Sequence, residues 1–500
     1  MKAARSRAQG RKILKNKSTP ERSPRRIDYK WIVLSVTTIG ALMAAIDSNI
    51  VMLALPDMMS SLHANLVEMI WVIMSYILTS TVILLTLGRM ADMLGRVRMY
   101  NLGFVIFTVG STLCGISQNA TQLILARIVQ GSGGAMMVVN SAALLTEVFP
   151  PNERGRALGL NGITFAAGSV LGPVLGGLIL SAISWRWIFF INVPIGLGGT
   201  LWAYRALKEM APRATGERFD AGGAITFSVG LLALLMALTS GIDAGWFSAP
   251  ILGLFALVIV MFALFFRIER RAQNPVLDFS LFKNRIYAFS SLAAMIQSLA
   301  MFAVNFLIVF YMQGVRGYDP LKAALLLLPM PIVMAFVAPL SGMLSDKVGA
   351  KLPATIGVLV QAAALVWLLF LGTDTPYQRI AFGLALMGLG GGLFYSPNTS
   401  AAMNAAPRNR LGIASGALVT LRQTGMVTSL ALSMAVAATT MPQSDMMKLF
   451  VGTNVALGSA TMQSFVGGMR GAFTVSIALS IVAAVFSFVR GKEDRSAYKA

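Results

Sequence analysis

Apolar residues run along this chain in uninterrupted blocks of about 20, parted by short polar breaks rich in Arg, Lys, Gly and Pro, and not in the alternation of half-buried strands. As helices, blocks of that length match a hydrocarbon core of roughly 30 Å. The breaks predict fourteen spans, at 31–55, 67–88, 99–117, 122–146, 156–180, 187–207, 221–240, 250–267, 287–312, 321–343, 352–371, 378–402, 411–438 and 471–489. An even number returns the chain to the side on which it starts.

Composition agrees with a membrane protein. The 500 residues are 56% hydrophobic and 12% charged, with a mean hydropathy of +0.72, against roughly 25% charged in soluble domains. A net charge of +21 invites a nucleic-acid reading, but the distribution of the cations argues against it. Eleven Lys and Arg crowd the first 30 residues; counted with the loops on that side they make 33 of 41, with six on the other side and two inside spans. Such a bias places both termini in the cytoplasm. The basic tail has no apolar core of its own, so no removable signal is expected. Cys114 is the single cysteine and His63 the single histidine. Neither a disulfide, a metal site nor a cofactor is expected.

Two motif pairs recur at one offset. GRMADMLGRVR starts at Gly88 and GMLSDKVGAK at Gly342, 254 residues on; PNERGRALG starts at Pro151 and PRNRLGIASG at Pro407, 256 residues on. Measured in spans the offset is eight, which predicts two six-helix halves (31–207 and 287–489) with two helices inserted between them (208–286), flanked by tails at 1–30 and 490–500.

With these motifs the chain resembles the major facilitator superfamily, in particular its fourteen-helix drug:proton antiporters. The resemblance implies an all-α membrane protein of the major facilitator fold. Gly88, Asp92, Gly95, Arg96 and Arg98 match the family's motif between helices 2 and 3, where glycines allow a tight turn and Asp92 can pair with an Arg or cap a neighbouring helix. Gly159, Gly168, Gly172, Pro173, Gly176 and Gly177 match the antiporter motif of span 5, which implies export and close helix packing. LILARIVQGSGG matches the helix-4 motif, with Arg127 inside the membrane, and WRWIFFINVPIG matches this branch, with Trp185 and Trp187 suited to an interfacial belt.

IDSNIVMLALP matches the helix-1 motif and holds Asp47 in a run from Trp31 to Leu55 with no other charge. A charge at the centre of a span costs roughly 2.5–3.5 kcal/mol on insertion. No other carboxylate sits as deep, and this makes Asp47 the candidate proton carrier, with Arg127 as its partner in coupling and Glu147 and Glu68, at span ends, as runners-up; a static ion pair between Asp47 and Arg127, or a purely substrate-binding anion, is the alternative. Trp71, Tyr76, Asn305, Phe306, Phe310 and Arg422 are candidates for binding substrate. The resemblance then implies a proton-coupled exporter of drugs or other amphiphilic or cationic solutes, working by alternating access of two halves as a monomer in the plasma membrane, with small molecules, protons and lipid as partners. A dedicated exporter of one metabolite, antibiotic or lipid-like solute is equally compatible. A transporter-derived sensor is a remote alternative, and an enzyme lacks a catalytic constellation.

Overall fold

The computed structural model describes residues 28–64, 66–210, 220–272, 275–318, 320–438 and 459–491. The expected basic tail up to residue 27 and the C-terminal tail from 492 lie outside these, as do the side chains of Pro173 and Phe306. No strand occurs among the described residues. The helices are α1 (Tyr29–Leu53), α2 (Leu55–Ser61), α3 (Leu66–Leu94), α4 (Arg96–Ile116), α5 (Ala120–Val148), α6 (Arg154–Ala182), α7 (Trp187–Phe190), α8 (Asn192–Ala206), α9 (Ala221–Ala244), α10 (Ala249–Glu269), α11 (Arg285–Phe310), α12 (Pro320–Leu326), α13 (Pro329–Val348), α14 (Lys351–Leu368), α15 (Tyr377–Asn404), α16 (Leu411–Ala438) and α17 (Ser459–Val489). Among the described residues twelve stretches are long and apolar enough to cross a membrane. Helices α6 and α16, of 29 and 28 residues, stand where the fifth and thirteenth spans are expected.

Several helices outrun their predicted limits. α3 continues through Gly88 to Leu94, so only Gly95 turns the chain, with φ 106°, and Gly349 does the same after α13 with φ 95°. Both angles lie where a Cβ is strained. A helix satisfies its own backbone and therefore persists until a residue of that kind permits a turn. The sixth span is interrupted at Ile191 and the tenth just before Pro329, whose ring cannot continue the preceding helix.

The inserted pair, α9 and α10, lies against the seam between α3 and α16. Phe227, Leu231 and Leu235 of α9 share one apolar cluster with Leu78, Val82 and Leu85 of α3 and Ala417 and Val427 of α16. The far side of α10 presents Leu252, Ile259, Val260 and Leu264 outward, a surface suited to acyl chains and not to water. After α10 the chain is turned by Glu269, which accepts hydrogen bonds from the backbone N–H groups of Val276 (3.0 Å) and Leu277 (3.3 Å). Asp278 then pairs with Arg410.

The described chain starts and ends at the same face of the bundle, where Arg490 donates to Ser290 and Asn398 near the ends of α11 and α15. At this terminal face the repeated motifs meet each other in two related contacts. Asp92 accepts from the N–H groups of Gly412 and Ile413 at 3.0 Å each, capping α16. Asp346, 254 residues on, accepts from Gly155 (2.9 Å) and Arg156 (3.1 Å) and caps α6. Carboxylates at helix N-termini complement the exposed N–H groups and the axial dipole. Glycines bring the backbones close enough: a Cβ on Gly88 would lie 3.1 Å from the carbonyl carbon of Gly412, and one on Gly342 would strike the Gly155 carbonyl. Arg96 ties the first contact together, reaching Asp92 (2.9 Å), Glu147 (2.8 Å) and the Arg408 carbonyl (2.9 Å). These contacts hold α3 against α16 and α13 against α6 at this face.

Candidate functional site

Asp47 lies on the α1 face that also carries Met43, Ile46 and Ile50, so it points into the protein and is fully buried. Its charge is met from two other helices. Arg127 Nη1 of α5 donates to Oδ2 at 2.7 Å, while Gln130 Nε2, one turn further along α5, and Asn192 Nδ2 of α8 donate to Oδ1 at 2.8 and 3.0 Å. Arg127 also reaches Gln130 Oε1 (2.6 Å) and the Val72 carbonyl (3.2 Å), and its guanidinium stacks 4.3 Å from the Tyr76 ring. Ser111 Oγ accepts from Gln130 and Asn192 at 3.1 Å each and donates to the Phe189 carbonyl at 2.9 Å. Two opposite charges removed from water are tolerable only where further hydrogen bonds complete them.

The glycines of GSGG make this cluster possible. A Cβ on Gly131 would sit 2.8 Å from the Tyr76 carbonyl, and one on Gly134 only 2.6 Å from the Tyr76 hydroxyl. Because both are glycine, α3 can approach α5 until the aromatic ring underlies the guanidinium. Gln130, Asn192 and Ser111 were not among the candidates. The signal for them was available: each is an uncharged polar side chain inside an apolar span, where an unsatisfied group is costly.

Other candidates are placed elsewhere. Glu147 does not join Asp47; it stands at the terminal face on Arg96, twenty residues of α5 beyond Arg127, or about 30 Å. Tyr76 is buried against the ion pair, under the Arg127 guanidinium. Trp71 packs in the cluster beneath α9 and α10. Phe310 packs against α14, α15 and α17. Neither it nor Asn305 lines the central cavity. Helical spacing brings Trp71 and Phe310 into contact with neighbouring helices. Trp185 is likewise buried, edge-on to Phe189, whereas Trp187 is exposed as a belt residue would be.

The glycines of span 5 divide between two partners. A Cβ on Gly159 would meet the Ala338 carbonyl of α13 at 2.6 Å, across the seam. One on Gly172 would meet Asn49 Cβ at 2.8 Å and the Ile46 carbonyl at 3.2 Å, both on α1 beside Asp47. Gly172→Leu is therefore expected to displace α1 and its carboxylate. Export in vesicles should fall at least about tenfold at normal expression, the scale of a 1–3 kcal/mol overpacking strain; full export would show that α1 tolerates the shift.

Among the substrate candidates whose side chains are described, Arg422 lines a cavity at the seam. The cavity measures about 30 Å³ and is bounded by Ala41 of α1, Ser141 of α5, Asn161 of α6, Tyr395 and Thr399 of α15 and Arg422 of α16. Ala41 precedes Asp47 by six residues, so the ion pair stands about 9 Å deeper toward the opposite face.

Comparison with known proteins follows the same lines. A model of the Major Facilitator Superfamily matches residues 37–430. The chain is 33% identical over 393 residues to the riboflavin transporter RibZ of Clostridioides difficile (strain 630), covering 79% of this chain and 85% of that protein. It is 33% identical over 398 residues to the multidrug transporter protein MdtP of Bacillus subtilis (strain 168), covering 79% and 73%. Its fold is similar to the crystal structure of the human organic anion transporter MFSD10 (TETRAN), with a TM-score of 0.66 at 14% identity over 93% of this chain and all of that one.

Proposed function

The chain belongs to the major facilitator superfamily and is a multi-pass membrane transporter, not an enzyme; from that premise we propose that it exports amphiphilic small molecules in exchange for protons. The observation that carries this reading is the sealed Asp47–Arg127 pair. A carboxylate that can trade its guanidinium for a proton changes the charge of the buried cluster, and only a rearrangement of α1 against α5 and α8 gives water access to it. Antiport follows if protonation from the opposite face weakens the cluster and allows the terminal face to part, where substrate then displaces the cycle forward. One proton moving inward through 100 mV supplies about 2.3 kcal/mol, and each pH unit about 1.4. That suffices for concentrative export of a neutral or singly charged solute.

In this reading the two aspartate caps at the terminal face are the cytoplasmic gate, and the molecule has the gate shut. The motif residues Gly88, Asp92, Gly95, Arg96 and Arg98 and the glycines of α6 set how the gate closes. Two six-helix halves rock about the seam, fourteen spans cross the plasma membrane, both termini are cytoplasmic, and one chain suffices. The direct test is purified protein in liposomes, loaded with substrate and given an inwardly directed proton gradient. Gradient-dependent concentration of solute supports antiport; equal fluxes with and without the gradient refute it. Transport of a single solute is the second reading, favoured by the similarity to a transporter named for riboflavin, and a structurally diverse panel in the same liposomes separates the two.

Orientation is tested with single cysteines in a Cys114→Ala background. Gln118 and Arg98 are exposed near opposite ends of α4. A cysteine at Gln118 is expected to react with an impermeant maleimide in intact cells, and one at Arg98 only after permeabilisation. The reverse pattern would invert the topology.

A further inference from the structure

We propose that the seam cavity selects solutes that carry an anionic or strongly hydrogen-bond-accepting oxygen on a planar frame, in preference to cations. The proposal rests on the transport reading above and specifies its substrate class. Its basis is an imbalance between donors and acceptors. Arg422 lines the cavity with one face of its guanidinium 4.8 Å from the Tyr395 ring centroid. Stacked in that way the guanidinium keeps its rim of five N–H donors clear of the ring. Among the described residues no carboxylate pairs with Arg422, and no carboxylate lines the cavity. Asn161 adds a second donor: its Nδ2 is buried with no hydrogen-bond partner among the described residues, while its Oδ1 is occupied by Ser141.

The buried carboxylates at either end of the seam are committed elsewhere: Asp92 is held by Arg96 and the Gly412 and Ile413 N–H groups. Asp47 has both oxygens engaged by Arg127, Gln130 and Asn192, and so offers nothing to a cation in the seam. The seam is therefore a positively charged, donor-rich patch between apolar walls formed by Ala41, Met137, Leu158, Leu418 and Val419. A guanidinium fits a carboxylate, phenolate or paired carbonyl oxygens through two parallel N–H bonds, and its stacking on Tyr395 prepares a slot for a flat ring. A cation placed there meets like charge with no compensation. At about 30 Å³ the cavity holds a water or two, so the two halves must part before a drug-sized solute enters.

Two dyes on one xanthene frame provide the test: fluorescein, an anion at neutral pH, and rhodamine 123, a cation. Binding to the full-length protein in nanodiscs is read by fluorescence anisotropy. The wild type is expected to bind fluorescein at least about tenfold more tightly, the scale of one charge-assisted hydrogen bond. Arg422→Gln should remove that preference without weakening rhodamine binding. Arg422→Lys, which keeps the charge but loses the planar fork, should retain part of it. Thr399→Asp, which places a carboxylate in the lining of the same cavity, should reverse the order and guards against a Gln variant that fails to fold. Tighter binding of rhodamine by the wild type, a Gln variant that binds fluorescein unchanged, an equal loss of both dyes in a Gln variant that melts at the wild-type temperature, or no binding of either dye by the wild type overturns the proposal. If rhodamine 123 is nonetheless exported under a proton gradient, the transport reading stands while this inference falls; absence of gradient-driven flux for every solute tested removes the transport reading itself.

Discussion

Asp47→Asn is expected to reduce proton-driven export to background and also to destabilise the protein. The amide removes the titratable proton, and it leaves the Arg127 guanidinium, buried to 2% exposure, without a counter-charge. Breaking one side of a buried ion pair costs about 3–5 kcal/mol, which should appear as a lower melting temperature in detergent. The double variant Asp47→Asn/Arg127→Gln separates the two effects. It removes both charges and keeps donors and acceptors for Gln130 and Asn192, so melting should recover most of the loss. Export should not return. If the double variant exports at wild-type rates, the pair is only structural and coupling resides elsewhere. A surface pair such as Lys30–Glu153, with its side chains 20% and 37% exposed, serves as control, because breaking it should cost less than about 1 kcal/mol.

Gly88→Leu should disable the transporter by a different route. A side chain at Gly88 is directed at backbone, 3.1 Å from the Gly412 carbonyl carbon and 3.2 Å from the Gly416 Cα, and not at the movable end of a neighbour. α3 and α16 must separate, and Asp92, one turn further along α3, then loses its grip on the N–H groups of Gly412 and Ile413. Overpacking costs about 1–3 kcal/mol, borne only by the state in which this face is shut, enough to shift a two-state equilibrium by about five- to 150-fold. The expected result is a protein that still binds substrate, exports at least about tenfold less, and shows a longer distance between spin labels at Arg98 and Asn409. Unchanged distances together with full export would falsify the assignment of this crossing as a gate. Gly342→Leu at the related crossing should produce the same phenotype, since its partner is the Gly155 backbone.

Much of the fold could be read from the sequence. Apolar block length is a local property fixed by bilayer thickness, so the helices lie where the blocks predict, within a few residues at most ends. The offset of 254 residues between Asp92 and Asp346 identified two positions that the structure gives the same task. Asp47 and Arg127 were legible for the same reason: in a span without other charges, each needs a partner of opposite sign, and the other was available. The sequence was less informative about motif geometry. Gly88 and Gly95 fall in one motif, GRMADMLGRVR, yet one packs inside a helix and the other turns between two.

Hydropathy and spacing by themselves thus determined that the chain is a membrane-spanning helical bundle with an internal repeat and one exceptional carboxylate. They did not determine which face of each helix meets which neighbour. In lipid an apolar helix can turn any side to its surroundings at little cost, and the choice is made by small residues, hydrogen bonds and shape. The contacts that decide this protein's chemistry join residues 80 to 145 positions apart, as with Arg127 and Asn192 on Asp47. Only the tertiary structure showed that Glu147 belongs to the terminal face, that Trp71 and Phe310 pack in apolar clusters, and that Arg422 stands in the seam with no carboxylate beside it among the described residues.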